Sequence, residues 1–398
     1  MLKSKALLLT QGMHGMISQV EGLSKALGFK FKHETVRLKN IWNLIPPKFT
    51  PISEIILENR FICDSKVIIS CGRKSVIPSI LLKKRFKKDV FTIHVQDPKV
   101  NLNNFDCIIC PEHDNLEGEN VIKTKGAIHY LTNEEIKKNT NYLDPRADGK
   151  KIITLILGGP NKYYGFSEKQ MTETFAKIKN LFIYSKYKLI VIPSYRTPEN
   201  IVKLAFNYFN DNHLVIKERD KKAYLSALSL ADIIIVTCDS TSMISEAAIT
   251  GKPVYVAQMK NKRSIHRFEK FYNLFKELGI IRDLENKIEN WTYKGLDEVN
   301  KAALIVKEKM KQDEWPEECV RCKQTEEVNG NSIRTKSIKR HQGLHKFRDD
   351  YLIVGGVLDN VCNSACQSCN SGLSTKIGSL ESKNYPRVRL RVVVWCPF

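Results

Sequence analysis

Short apolar runs along this chain alternate with longer stretches whose apolar positions recur every three or four residues. Lys5–Leu9 (KALLL) reads as a strand. The polar loop Gln11–Met16 (QGMHGM) follows, and Ile17–Leu27 then carries Ile17, Val20, Leu23 and Leu27 at helical spacing. Lys66–Ser70, Phe91–Val95 and Cys107–Cys110 read as further strands, with a helix at Val76–Lys84. The pattern breaks at Asn141–Lys150 (NYLDPRADGK), rich in turn residues, and restarts. Lys151–Leu157 is a strand, Ser167–Ile183 a helix, and Tyr187–Ile192 a strand. Lys221–Leu230 is a helix, Asp232–Thr237 a buried strand, Ser242–Thr250 a helix, Pro253–Val256 a strand and Leu296–Met310 a closing helix. Strands alternating with amphipathic helices predict parallel sheets covered on both faces. Two such series of similar length predict an α/β protein with two facing, doubly wound, Rossmann-like domains at 1–145 and 151–311. Beyond them lies a segment at 312–398 where the alternation stops.

Composition agrees and adds two anomalies. A chain of 398 residues, 42% hydrophobic and 27% charged, is of globular type and too long for one ordinary core. Its longest apolar runs fall far short of the ~20 residues of a spanning helix. The start, MLKSKALLLTQG, reads as a strand rather than a signal peptide, so the expected compartment is the cytoplasm. The net charge is +21, of which +18 falls in residues 1–311. Basic clusters such as Leu81–Lys88 (LLKKRFKK) suit an anionic membrane surface or simple solvation. Nucleic acid is not expected, because no binding motif or interleaved aromatic residues accompany the charge. Six of the 11 cysteines crowd the last 80 residues.

Ligands of open parallel sheets bind beyond the carboxyl ends of the strands, so the loops there carry the candidate chemistry. QGMHGM places Gly12, His14 and Gly15 between a strand and a helix, a tight turn that also suits an anion, with His14 as a general base. CGRKS puts Arg73 at a helix entrance, where it reads as an anion ligand or a solvated turn. Asp97, Glu112, His113 and Asp114 end strands without tight metal spacing. In the second half, LGGPN offers Gly158 and Gly159, and PSYRTP offers Arg196. TCDSTSMISEA sets Asp239, Ser240, Thr241 and Ser242 at a helix start, with Glu246 one turn in.

Taken in order, these loops resemble the mitochondrial-fission ELM-type family in its bacterial branch. The matching stretches are QGMHGMISQ, ISCGRKSVIP, HVQDPK, FDCIICPEHD, TKGAIH, ILGGPNK, SYRTP, VTCDSTSMISEAAITGKPVYV and HRFEKFYNLF, over about residues 5–310. The family resembles glycosyltransferases of the two-Rossmann GT-B architecture. That resemblance implies a nucleotide-sugar donor in the C-terminal domain and an acceptor, envelope-derived or lipid-linked, on the N-terminal side. Gly158 and Gly159 would then approach the donor diphosphate, and Arg196 with Ser240, Thr241 and Ser242 would hold its phosphates. Glu246 would hold the ribose hydroxyls, and His14 would act as base beside Gly12 and Gly15. No metal or other cofactor is implied for these domains. Plant members are associated with recruiting a dynamin-related protein to mitochondria, so a non-catalytic interaction protein is the rival reading, and peripheral attachment to the inner membrane face fits either.

Residues 312–398 read differently. Cys362, Cys366 and Cys369 have the x3–x2 spacing of a radical SAM loop, in which three thiolates hold a [4Fe–4S] cluster that binds S-adenosylmethionine. The CVRC stretch at Cys319 and Cys322 resembles the lead-in of twitch-type members, or half of a zinc site. Only 29 residues follow Cys369, whereas such a barrel needs roughly 200. The segment therefore reads as the incomplete start of a second unit.

Overall fold

The computed structural model describes residues 5–313 apart from 60, 62, 146–148, 183–186, 210–211 and 286–287. The cluster and zinc candidates Cys319, Cys322, Cys362, Cys366 and Cys369 lie outside the described residues.

Two parallel six-stranded sheets build the fold. The first holds β1 (Lys5–Thr10), β2 (Lys30–Thr35), β3 (Val67–Cys71), β4 (Phe91–Val95), β5 (Cys107–Pro111) and β6 (Val121–Thr124), in the order β2-β1-β3-β4-β5-β6. Helices α1 (His14–Leu27) and α2 (Val76–Phe86) cross between its strands. β3 is buried along its whole length, as a strand covered on both faces must be. β2 (KFKHET) was not evident from the pattern. It has no apolar run because it is an edge strand, paired only with β1 and partly exposed throughout.

The second sheet holds β7 (Lys151–Leu157), β8 (Tyr187–Pro193), β9 (Leu214–Val215), β10 (Ile233–Thr237), β11 (Val254–Ala257) and β12 (Ile281–Asp283). Its order, β12-β11-β10-β7-β8-β9, reverses direction between β7 and β10, which is the doubly wound Rossmann arrangement. The helices are α4 (Glu168–Phe182), α5 (Glu199–Phe209), α6 (Lys221–Leu230), α7 (Thr241–Ala248) and α8 (His266–Glu277). A large core of Ile, Val, Leu and Phe, including Ile153, Leu155, Phe175, Ile234 and Val236, fills this half.

The stretch between the sheets belongs physically to the second half. Leu131 and Ile136, the latter on α3 (Asn133–Lys138), sit in the second core. The Ser226 hydroxyl donates to the Thr140 carbonyl and accepts the Leu143 N–H. The last described helix, α9 (Glu298–Asp313), returns toward the first half. Its Glu298 carboxylate accepts the Lys125 N–H at 2.7 Å, and the Lys307 ammonium donates to the Ala26 carbonyl in α1. Gly22 lets α1 close on the linker, because a Cβ there would lie 2.5 Å from the His129 carbonyl.

The carboxyl ends of the two sheets face one another. The His14 ring, just after β1, lies 4.7 Å from the Tyr195 ring, just after β8. Asp114, after β5, pairs with Arg267 at the start of α8. The architecture is therefore GT-B-like, with a cleft where both sets of loops meet.

Candidate functional site

The site is built first at the switch point between β7 and β10. The β10 strand hands over to α7 through Cys238, Asp239 and Ser240. The Ser240 hydroxyl caps the helix by accepting the Met243 N–H at 3.3 Å, so capping does account for that serine. Thr241 and Ser242 stand half-buried on the first turn beside it, where unpaired N–H groups and the helix dipole favour negative charge.

Asp239 is buried and accepts three hydrogen bonds. They come from the Thr237 hydroxyl at 2.7 Å, the Gly159 N–H at 3.1 Å and the Arg196 guanidinium at 2.7 Å. Burial still raises its pKa, with the Arg196 charge opposing. Arg196 also donates to the Gly159 carbonyl at 3.1 Å, and the Thr197 hydroxyl bonds the Gly158 carbonyl at 2.7 Å. These bonds tie the exits of β7, β8 and β10 into one clamp. The paired glycines are required by the protein itself. A Cβ on Gly158 would lie 2.0 Å from an Asp239 carboxylate oxygen, and one on Gly159 would lie 2.0 Å from the Arg196 carbonyl. A cavity of about 550 Å³ opens beside the clamp, lined by Thr197, Phe206, Lys217 and Arg219 among others.

One turn further, Glu246 is half-buried. Its carboxylate accepts the Tyr224 hydroxyl at 2.8 Å. Burial pushes its pKa up to about 7, and the Tyr224 hydrogen bond acts in the opposite direction. Tyr130 of the linker adjoins this pair, and the Lys221 ammonium sits 4.0 Å above the Tyr130 ring. The His14 ring meets Tyr130 edge-on at 6.5 Å. The His14 pKa is lowered, by partial burial first and the Lys221 charge second, with Glu21 opposing, so its imidazole is neutral near pH 7. His14, Tyr130, Tyr195, Lys221, Tyr224 and Glu246 thus converge from both halves on one cleft. Sequence reasoning singled out only His14 and Glu246 of these. Tyr195 was inside the SYRTP stretch and Tyr130 directly follows TKGAIH, but an aromatic in a loop carries no pattern of its own.

The remaining predicted positions fall elsewhere or have other partners. Gly12 adopts φ +85° and its N–H donates to the Thr10 hydroxyl, and Gly15 is in the first turn of α1. Arg73 is committed to the carbonyls of Asn43, Leu44 and Ile45, in a loop of the first half. Asp97 pairs with Lys99, Glu112 with Lys125, and Asp114 with Arg267. Among the described residues, no group of three or more His, Cys, Asp or Glu side chains is assembled to hold a metal ion. Nor is any described helix long and apolar enough to cross a membrane.

A sequence model of the family described as Mitochondrial fission ELM1 matches residues 14–310. The chain is 27% identical over 283 residues to the mitochondrial fission protein ELM1 of Arabidopsis thaliana, covering 63% of this chain and 65% of that protein. It is also 27% identical over 288 residues to an uncharacterized protein of Rickettsia prowazekii, covering 61% and 78%. The chain thus spans about two thirds of the plant relative's length. Among solved structures, UDP-GlcNAc 2-epimerase from Methanocaldococcus jannaschii in complex with UDP-GlcNAc and UDP is similar at a TM-score of 0.43 and 14% identity, covering 76% of this chain and 99% of that one. The glycotransferase of kitacinnamycin is similar at 0.42 and 11%, covering 85% and 99%. These likenesses are loose, and it is the strand order that defines the architecture.

Proposed function

The chain belongs to the Mitochondrial fission ELM1 family, and on that premise we propose that it transfers a sugar from a nucleotide-sugar to an acceptor hydroxyl, an envelope or lipid-linked acceptor fitting best. The observation that carries this reading is the convergence of a neutral His14, from one half, with Glu246 and the α7 start, from the other.

In this reading the donor diphosphate sits at the amino end of α7, against Thr241 and Ser242, with Arg196 at its edge. The Glu246 carboxylate accepts the ribose hydroxyls, displacing the Tyr224 hydroxyl or sharing with it. Lys221 and the helix dipole favour the charge that develops on the leaving diphosphate. The acceptor oxygen bonds to the anomeric carbon as the carbon–oxygen bond to phosphate breaks. The acceptor's proton passes to His14, and the nucleoside diphosphate leaves. A neutral imidazole suits that step near pH 7. No metal is required, because the helix start and basic side chains neutralise the leaving group.

The clamp gives the rival reading its footing. Arg196 is paired to Asp239, and the Gly158 and Gly159 faces are occupied by protein, as they would be in a relative that keeps the fold for binding alone. One experiment separates the two. A panel of nucleotide-sugars is screened by thermal shift on the full chain. Transfer predicts a rise of a few degrees with one donor. Glu246→Ala should abolish that rise, and His14→Ala should keep it while losing turnover. If no nucleotide shifts the melting temperature and a membrane-remodelling protein is captured instead, the interaction reading replaces this one.

A further inference from the structure

Residues 38–57 form a closed loop on the first half. Its ends are zipped together by an antiparallel bridge between Leu38 and Leu57 and by the Lys39 N–H donating to the Ile56 carbonyl at 2.8 Å. Leu38, Pro47, Thr50, Ile56 and Leu57 anchor it inward, and Trp42 packs against the first core. The loop is braced from within as well. Asn43 donates to the Leu38 carbonyl, Thr50 donates to the Pro46 carbonyl, and Arg73 reaches in to bond the carbonyls of residues 43–45. Such bracing holds the outward side chains in place. Those side chains are Ile41, Leu44, Phe49, Ile52 and Ile55, between 38% and 80% exposed. Five of the eleven large exposed hydrophobic residues described thus fall on one short loop, whereas the other six include no group larger than the adjacent pair Leu304 and Ile305. A cluster of that kind marks a contact surface.

Charge identifies the partner. Lys39 and Lys48 lie on the loop itself. Glu54 pairs with Arg85, which joins the loop to the carboxyl end of α2, where Lys84, Lys87 and Lys88 are exposed. Among the described residues, none of these five lysines is drawn into an ion pair. Exposed apolar side chains with unpaired lysines on the same loop and on the α2 terminus joined to it match an interface with an anionic head-group layer over acyl chains.

We propose that the 38–57 loop, with the α2 terminus beside it, docks on an anionic lipid bilayer. The loop leaves the carboxyl end of β2, next to the Gly12 turn, so docking would set the cleft mouth close to the lipid surface. The surface stands on its own observations, whether or not the cleft catalyses transfer, and vesicle binding is read without any donor.

The test is co-sedimentation of the full chain with phosphatidylcholine vesicles, with and without about 30 mol % phosphatidylglycerol. Binding to the anionic vesicles alone is expected, weakening as salt rises. L44S/F49S should lower the partition coefficient about tenfold or more, because two buried apolar anchors are lost. Since both side chains are exposed, its melting temperature should match the wild type. K84E/K88E should reduce binding about fivefold or more per position and flatten the salt dependence. The proposal is overturned if the wild type stays in the supernatant with anionic vesicles, or if L44S/F49S sediments as the wild type does. A dimer that L44S/F49S abolishes, without vesicle binding, would assign the surface to a second copy and overturn it equally.

Discussion

Glu246 shows how far a single side chain can be set against stability. A carboxyl with a folded pKa near 7 takes up protons more readily in the folded chain than in the unfolded one, where it titrates near its ordinary 4.5. Stability is therefore lost as pH rises from about 4.5 through 7, and the folded protein carries this cost at pH 8. Glu246→Gln, which keeps the shape and accepts the Tyr224 hydroxyl, should raise stability at pH 8 by about 1–2 kcal/mol in urea denaturation, with little gain at pH 4. If Glu246 holds a ribose, nucleotide affinity in the wild type should fall as pH drops through 7, and the Gln variant should lose that dependence. An unchanged urea midpoint at pH 8 would show that burial does not strain this group. Residue identity pointed to Glu246 because an acid one turn into a helix that follows a hydroxyl-rich start is legible as a motif. Its tyrosine neighbours were not, because Tyr130 and Tyr224 come from separate elements brought together only by the fold.

At the scale of elements, the clamp around Asp239 explains why GGP, YRT and TCDS stand at three strand exits. β7, β8 and β10 are each readable as apolar runs, and Lys151–Leu157 has the bounds that the pattern implied. What the pattern did not contain is the reason for the loops. The family resemblance implies that Gly158 and Gly159 approach a donor diphosphate, and in the fold the side on which each would carry a Cβ is filled by Asp239 and by the Arg196 backbone. That distinction depends on a contact between residues about eighty apart in the chain. The same limit hid β2, β6, β9 and β12, which lie at sheet edges and are polar or short. Asp239→Ala should therefore act as a lesion in all three exits. It strands the Arg196 charge, the Gly159 N–H and the Thr237 hydroxyl, and should cost about 3–5 kcal/mol in equilibrium unfolding. Asp239→Asn keeps one acceptor oxygen for the Gly159 N–H and the Arg196 guanidinium and turns an NH2 toward the Thr237 hydroxyl, which can accept it, so it should cost clearly less. Equal, small losses for the two would mean that the exits are held by strand packing alone.

Across the whole molecule, the two halves meet at histidines that the fold keeps neutral. The His113 ring, on the first half, lies 5.2 Å edge-on from Phe271 of α8. His129 of the linker contacts the Ser245 carbonyl of α7 at 3.3 Å. Burial lowers both pKa values to about 4, from an ordinary 6.5, with Asp114 opposing for His113 and the Ser245 carbonyl opposing for His129. The unfolded chain binds these protons below 6.5 and the folded chain refuses them until about 4, so stability is full above 6.5 and declines through that window. Each histidine contributes at most about 1.4 kcal/mol per pH unit. His94, inside the first sheet and lowered to about 3, adds to the loss of global stability without touching the seam. Two of these protonations fall on the one seam and a single one on the first sheet, so the seam should loosen in acid before that sheet does. Between pH 7 and 5, limited proteolysis should begin to cut the linker near residues 125–145 while the far-ultraviolet spectrum holds. His129→Gln should shift that onset to lower pH by removing one of the two seam protonations. Simultaneous loss of both signals would instead mean that the halves unfold as one body, with the linker's place in the second core, through Leu131 and Ile136, binding them too tightly to part.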